Sequence, residues 1–207
     1  MLDYVTLGLF ASLFTNAYAT IHTLIVQYGY IAIFVLMLLE GSTVPVPSEV
    51  VLPLAGIFIA NGTLNFVLVY LAALLGSIGG LAVDYYIGYF IGKDVVYKHL
   101  RLFHVTQERL DAFDAWFARN GFAAVFLSRL VPVIRTIMSF PAGFARMNQK
   151  KFFGYSALGA AIWDAVLIVF GMKALSTNNA VITLTAIGVF AIVLYVVYKV
   201  AVKYMKR

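Results

Sequence analysis

Residues 40–56 read EGSTVPVPSEVVLPLAG: two carboxylates, Glu40 and Glu49, and three prolines, set between apolar residues Ile31–Leu39 on one side and an apolar continuation to Ala60 on the other. Proline has no N–H and disfavours helix in the residue before it, so Pro45, Pro47 and Pro53 argue against one straight helix through the stretch. Interrupted backbone at membrane depth is tolerated only inside protein or beside a watery cavity. An ionisable residue there marks a functional site by default. The reading of the whole chain follows from this stretch.

The 207 residues are 63% hydrophobic and 12% charged, and the mean hydropathy is +0.94. This is the composition of a polytopic membrane protein forming one domain, not of a soluble one. There is no cysteine, which excludes disulfides and thiolate metal sites. The net charge of +6 is distributed against nucleic-acid binding: all 15 Lys and Arg lie at or after Lys93, while Asp3, Glu40, Glu49 and Asp84 occupy the first half. The N-terminus has no basic region and no cleavage pattern, so no removed signal peptide is expected.

In chain order, Leu2–Tyr18 is an apolar segment that either crosses a membrane or lies in its interface. A first hairpin is expected over about 29–60, followed by a turn at Asn61-Gly62-Thr63 and a spanning helix over 66–91. That helix carries Asp84 and glycines 76, 80, 88 and 92, whose four-residue spacing within each pair suits close helix packing. Residues 93–119 form the polar stretch. Leu110, Phe113, Trp116 and Phe117 recur there at helical spacing, which predicts an amphipathic helix along the membrane surface. A second interrupted region over about 121–144 carries Arg129, Pro132, Arg135 and Pro141, and spanning helices are expected over 152–172, with Asp164, and 180–202. The histidines, 22, 99 and 104, have no ligand set around them, so no metal or cofactor is expected.

Lys and Arg accumulate in cytoplasmic loops. Three short basic regions, 93–119, 146–151 and the C-terminus, are all placed inside only if 121–144 enters and leaves on one side, as a re-entrant hairpin. The halves also echo each other. Gln27–Phe34 resembles Arg119–Phe126, Val44-Pro45-Val46 matches Val131-Pro132-Val133, and Ala55-Gly56 matches Ala142-Gly143. The expected fold is thus an all-α polytopic membrane protein. Two oppositely oriented re-entrant hairpins, broken at Pro45 and Pro47 and at Pro132 and Pro141, form an inverted repeat, with spanning helices and an interfacial helix around them. Such repeats put a transport site near the midplane.

The two hairpins would bring two carboxylates to two arginines. Guanidinium stays charged and meets phosphate bidentately, so Arg129 and Arg135 are the candidate ligands of an anionic head group. Burial and a nearby cation shift a carboxyl pKa in opposite directions, so Glu40 and Glu49 are candidates for proton coupling or charge pairing. Asp84 and Asp164 are secondary candidates. In the plainer alternative, the carboxylates only neutralise the arginines.

Glu40-Gly41, Pro45-x-Pro47-Ser48-Glu49 and Ala55-Gly56 resemble the first hallmark of the DedA (SNARE-associated, VTT-domain) membrane proteins. Ser128-Arg129-x-x-Pro132-x-x-Arg135-Thr136, Ala142-Gly143, Met147 and Phe152-Phe153 resemble the second, continued by Gly159 and Trp163, and the resemblance covers Gly29 to Gly171. It implies a flippase or scramblase for a lipid such as undecaprenyl phosphate or phosphatidylethanolamine in the cytoplasmic membrane, dependent in some members on the proton-motive force. It also implies required residues at Glu40, Glu49, Arg129 and Arg135. Ser48-Glu49 stands here where some members have Gly-Asp. The expected partners are a membrane lipid and protons, the C-terminus is expected in the cytoplasm, and an enzyme is not expected. The rival classes are a proton-coupled antiporter for a small cation or drug and a non-transporting membrane organiser.

Overall fold

Gly29 adopts φ +54° and ψ −124°, a backbone open to glycine because it lacks a Cβ. In the computed structural model, which describes residues 4–102, 106–129, 135 and 138–175, this glycine separates helix α1 (Tyr4–Tyr28) from α2 (Tyr30–Gly41). Then follow α3 (Ser48–Ala60), α4 (Phe66–Leu102), α5 (Gln107–Ser128), α6 (Ser139–Phe144) and α7 (Gln149–Phe170), which continues into a π-helical turn, Gly171–Leu175. Every regular element among the described residues is helical, as the composition requires. The helix expected over 180–202 and the break residue Pro132 lie outside the described residues.

Among the described residues, two helices are long and apolar enough to cross a membrane: Phe66–Gly92, with 27 residues, and Gln149–Lys173, with 25. At 1.5 Å per residue they measure about 40 and 37 Å, against about 30 Å of hydrocarbon. An asparagine caps each of them. Asn65 Oδ1 accepts from the Val67 and Leu68 N–H groups, and Asn148 Oδ1 accepts from that of Lys151. The apolar part of α4 ends at Gly92, where φ +74° and ψ 162° interrupt the helix before it resumes to Leu102. By contrast, α2 and α3 have 12 and 13 residues. At about 18 and 20 Å, neither reaches across the hydrocarbon.

The two long helices run antiparallel: the Tyr70 hydroxyl donates to the Ala161 carbonyl near one end, and the Tyr85 ring stacks on Phe152 at 4.5 Å near the other. Each of them holds one arm from each interrupted region, and glycine makes the contact close. On α4, Gly76 and Gly80 lie against Phe34, Leu38 and Gly41 of α2, while Gly88 lies against Phe140 and Phe144 at the two ends of α6. On α7, Gly159 faces Arg129 at the end of α5, and its C-terminal end meets α3, where Gly56 and Pro53 pack on Ile168 and Gly171. The open end of the first hairpin sits at the start of α4, where the Asn65 N–H donates to the Tyr30 hydroxyl. That of the second sits near the far end of the apolar span of α4: the Met147 carbonyl accepts from Tyr85, and Arg146 stacks 5.3 Å from the Tyr89 ring.

Two elements differ from the sequence reading. Pro53 lies inside α3 without ending it; Val51, Leu52, Leu54 and Ala55 around it are buried, so packing holds the turn that lacks one backbone hydrogen bond. Gly121 does not divide the polar stretch from the second hairpin, because α5 runs unbroken from Gln107 to Ser128. Two hydrophobic clusters result. One gathers α1, α2, α3, the first part of α4 and the end of α7; the other gathers the rest of α4 with α5, α6 and the start of α7. The polar site lies between them.

Candidate functional site

The first hairpin turns through residues 42–47, which have no regular structure apart from a turn at Ser42 and Thr43. Pro45 and Pro47 stand in this turn, where missing N–H groups cost nothing. Thr43 takes φ +60°, unusual for a residue with a branched Cβ, and its hydroxyl donates to the Asp84 carboxylate on α4. On either side of the turn, Glu40 is buried in the last turn of α2 and Glu49 stands in the first turn of α3 with its side chain 36% exposed. A carboxylate in a first helical turn faces the positive end of the helix dipole.

The second hairpin supplies the cations. Arg129 caps the C-terminal end of α5, and Arg135, six positions on, is helical; both are buried. Arg135 Nη2 lies 2.6 Å from Glu40 Oε1 and 3.7 Å from Glu49 Oε1, and it donates to Ser48 Oγ. Its guanidinium stands 5.0 Å from the Trp163 ring centroid. Arg129 donates to the Ser139 and Ser156 hydroxyls, each at 3.1 Å, and to the Arg135 carbonyl, and it stands 5.7 Å from the Phe152 ring. Pro141, expected at the break, instead occupies the first turn of α6. Proline is at home there, because first-turn N–H groups have no partner within the helix.

These groups border a small cavity of about 20 Å³ whose walls include Glu40, Gly41, Ser77, Arg129, Arg135 and Asp164. Ser77 is the twelfth residue of the 27-residue apolar span, and Asp164 is the sixteenth of the 25-residue one, so the cavity sits near half-height on both. Asp164 is buried, with Ser77 Oγ 3.4 Å from its Oδ2. Asp84, equally buried, is turned to Thr43 and is not part of the cavity wall. Among the described residues, no three His, Cys, Asp or Glu side chains are placed to share a metal ion.

The fold therefore brings Glu40, Glu49 and Arg135 into direct contact, sets Arg129 beside them, and lines the same cavity with Asp164. The sequence reading missed the serines. Ser48, Ser139 and Ser156 are buried and hold the two guanidinium groups. Phe152, Ser156, Gly159 and Trp163 recur at spacings of four, three and four, one face of α7 turned to both arginines. That periodicity was available in the sequence, but a stripe of this kind is the common pattern of any packed helix.

The family model described as the VTT domain matches residues 46–173. Undecaprenyl phosphate transporter A of Staphylococcus aureus is 34% identical over 182 residues, 86% of this chain and 89% of its own length. Alkaline phosphatase-like protein of Lactococcus lactis subsp. lactis is 30% identical over 150 residues, 70% of each chain. Protein DedA of Escherichia coli is 28% identical over 149 residues, 68% of this chain and 67% of its own. No solved structure matches.

Proposed function

The chain belongs to the VTT-domain (DedA) family of membrane proteins, and from that membership we propose that it is a lipid transporter acting on an anionic, phosphate-bearing lipid. The observation that carries the reading is the meeting of a buried arginine pair with buried carboxylates halfway along two apolar helices. A lone charge at the bilayer centre costs at least about 2.5–3.5 kcal/mol. A phosphate head group crossing the hydrocarbon faces the same obstacle, and guanidinium groups at mid-depth lower it through charge-assisted, bidentate hydrogen bonds.

Undecaprenyl phosphate is the first substrate to test, because it is named for the Staphylococcus aureus relative; phosphatidylethanolamine is the second. We read the two interrupted regions as re-entrant hairpins, entering from opposite faces as an inverted repeat. The short arms of the first hairpin and the placing of the two open ends toward opposite ends of the apolar span of α4 support this. Glu40 and Glu49 are the proton-coupling carboxylates on this reading: a proton taken up by Glu40 weakens its hold on Arg135 and alters the charge that an incoming head group meets. The protein sits in the cell membrane with its basic loops and C-terminus in the cytoplasm.

The test is translocation of labelled polyprenyl phosphate and phosphatidylethanolamine by the purified protein in liposomes, with and without a pH gradient. Movement of a phosphate lipid is expected to respond to the gradient and to fall at least about tenfold in Glu40→Gln and in Arg129→Ala, the scale of one lost charged hydrogen bond. A folded protein that moves neither lipid but takes up cations would replace this reading with the antiporter.

A further inference from the structure

The arginine pair is not symmetrical, and its asymmetry deepens the transport reading on which this inference rests. We propose that Arg129 alone is the ligand of the head-group phosphate, seated by Ser139, Ser156, Phe152 and Gly159, and that Arg135 is a clasp between the two hairpins.

The partners of Arg135 already satisfy its charge. Three oxygens, from Glu40, Ser48 and Glu49, surround its Nη2, and all three belong to the first hairpin. A phosphate that took Arg135 would have to displace the buried Glu40 carboxylate and leave it unpaired, which is strongly unfavourable away from water. Arg135 thus joins one hairpin to the other, and its engagement follows the position of the hairpins rather than the presence of lipid.

Arg129 is in the opposite state. It is 3% exposed, borders the cavity, and among the described residues donates only to uncharged groups: two serine hydroxyls and a backbone carbonyl. Among the described residues no carboxylate lies within 4 Å of it, and its Nε has no hydrogen-bond partner. Glu40 and Asp84 attract it through space without touching it. A buried guanidinium held by neutral groups keeps its charge for an anion. Each serine hydroxyl that accepts from Arg129 still has a proton to donate, so Ser139 and Ser156 can add donors to the same phosphate. The seat admits little else: a Cβ on Gly159 would lie 2.6 Å from Arg129 Cβ and 2.9 Å from Cγ, and the Phe152 ring flanks the guanidinium.

Binding of farnesyl phosphate to the full chain in detergent, measured by titration calorimetry with farnesol as control, separates the two roles; thermal melting reports folding. Arg129→Gln is expected to weaken binding at least about tenfold, while the double variant Glu40→Gln/Arg135→Gln keeps affinity within about threefold of the original and loses translocation in vesicles. Should Arg129→Gln not fold, Arg129→Lys keeps the charge without the fork, and a loss of at least about fivefold supports the assignment. Unchanged affinity in Arg129→Lys or Arg129→Gln overturns it, as does a double variant that loses as much as Arg129→Gln. If the unaltered protein binds farnesyl phosphate no better than farnesol, the transport reading itself falls, and this assignment with it.

Discussion

Gly159 has no side chain because the stem of Arg129 occupies the place where one would begin. Gly159→Ala must push Arg129 off its serine partners or part α5 from α7, an overpacking cost of about 1–3 kcal/mol. Its expected signature is a loss of lipid translocation greater than the fall in melting temperature explains, read by vesicle assay and thermal melt side by side. The Glu40–Arg135 pair makes a second prediction at this scale. Removing one partner of a buried ion pair costs about 3–5 kcal/mol because the other charge is left alone, whereas removing both costs much less. Glu40→Gln and Arg135→Gln should therefore each destabilise the protein more than the double variant does; additive losses would mean that the pair carries no coupling. The charged members of the site were legible as residues because a carboxylate or guanidinium in apolar sequence has few other uses. Ser139 and Ser156 were not, since a serine in a membrane helix serves equally well for packing.

At the scale of elements, the crossing of α2 and α4 depends on backbone-to-backbone approach at specific glycines. A Cβ on Gly80 would strike the Leu38 carbonyl and lie 2.7 Å from the Gly41 Cα, atoms that cannot move aside, whereas one on Gly79 meets only the end of the Leu38 side chain at 3.5 Å. Gly80→Ala should lower the melting temperature, with an overpacking cost of about 1–3 kcal/mol. Gly79→Ala, one position away, should be neutral or gain up to about 1 kcal/mol of helix propensity; equal effects would show that the helices do not approach as described. The glycine spacing in the sequence announced close packing but not which partner each glycine meets, and it grouped Gly92 with the others. Among the described residues, Gly92 has no neighbour that a Cβ would touch; its role is the backbone conformation that ends the straight span. The proline signal was equally divided: Pro45 and Pro47 mark the turn, while Pro53 is absorbed by a buried helix.

Across the whole molecule, among the described residues, the two antiparallel helices α4 and α7 form a frame, and the helices of each interrupted region are held between one helix of their own half and one of the other. The turn at Asn61–Thr63 and the basic stretch Arg146–Lys151, which runs into the start of α7, then lie at opposite ends of the frame. The natural chain contains no cysteine, so single cysteines map this directly. Thr63→Cys and Lys150→Cys, both at exposed positions, should react with a membrane-impermeant maleimide from opposite faces of sealed vesicles. Labelling of both from one face would rule out the opposed hairpins.

The amino-acid sequence by itself determined the solvent of this protein, its helical class, the turn at Pro45 and Pro47 and which charged residues stand in apolar runs. Those properties follow from local chemistry: apolar runs long enough for hydrocarbon, prolines without N–H groups, and charges whose isolation in an apolar run is costly. Which carboxylate meets which arginine was decided only by the tertiary structure. Glu40 and Arg135 are 95 positions apart in the sequence, yet they meet at 2.6 Å. They meet because glycine contacts on α4 and α7 fix how deep each hairpin sits, and depth is a property of packed surfaces that no single segment encodes. The same packing leaves Arg129 among hydroxyls and Arg135 among carboxylates, a difference between two identical side chains that arises only from what folds around them.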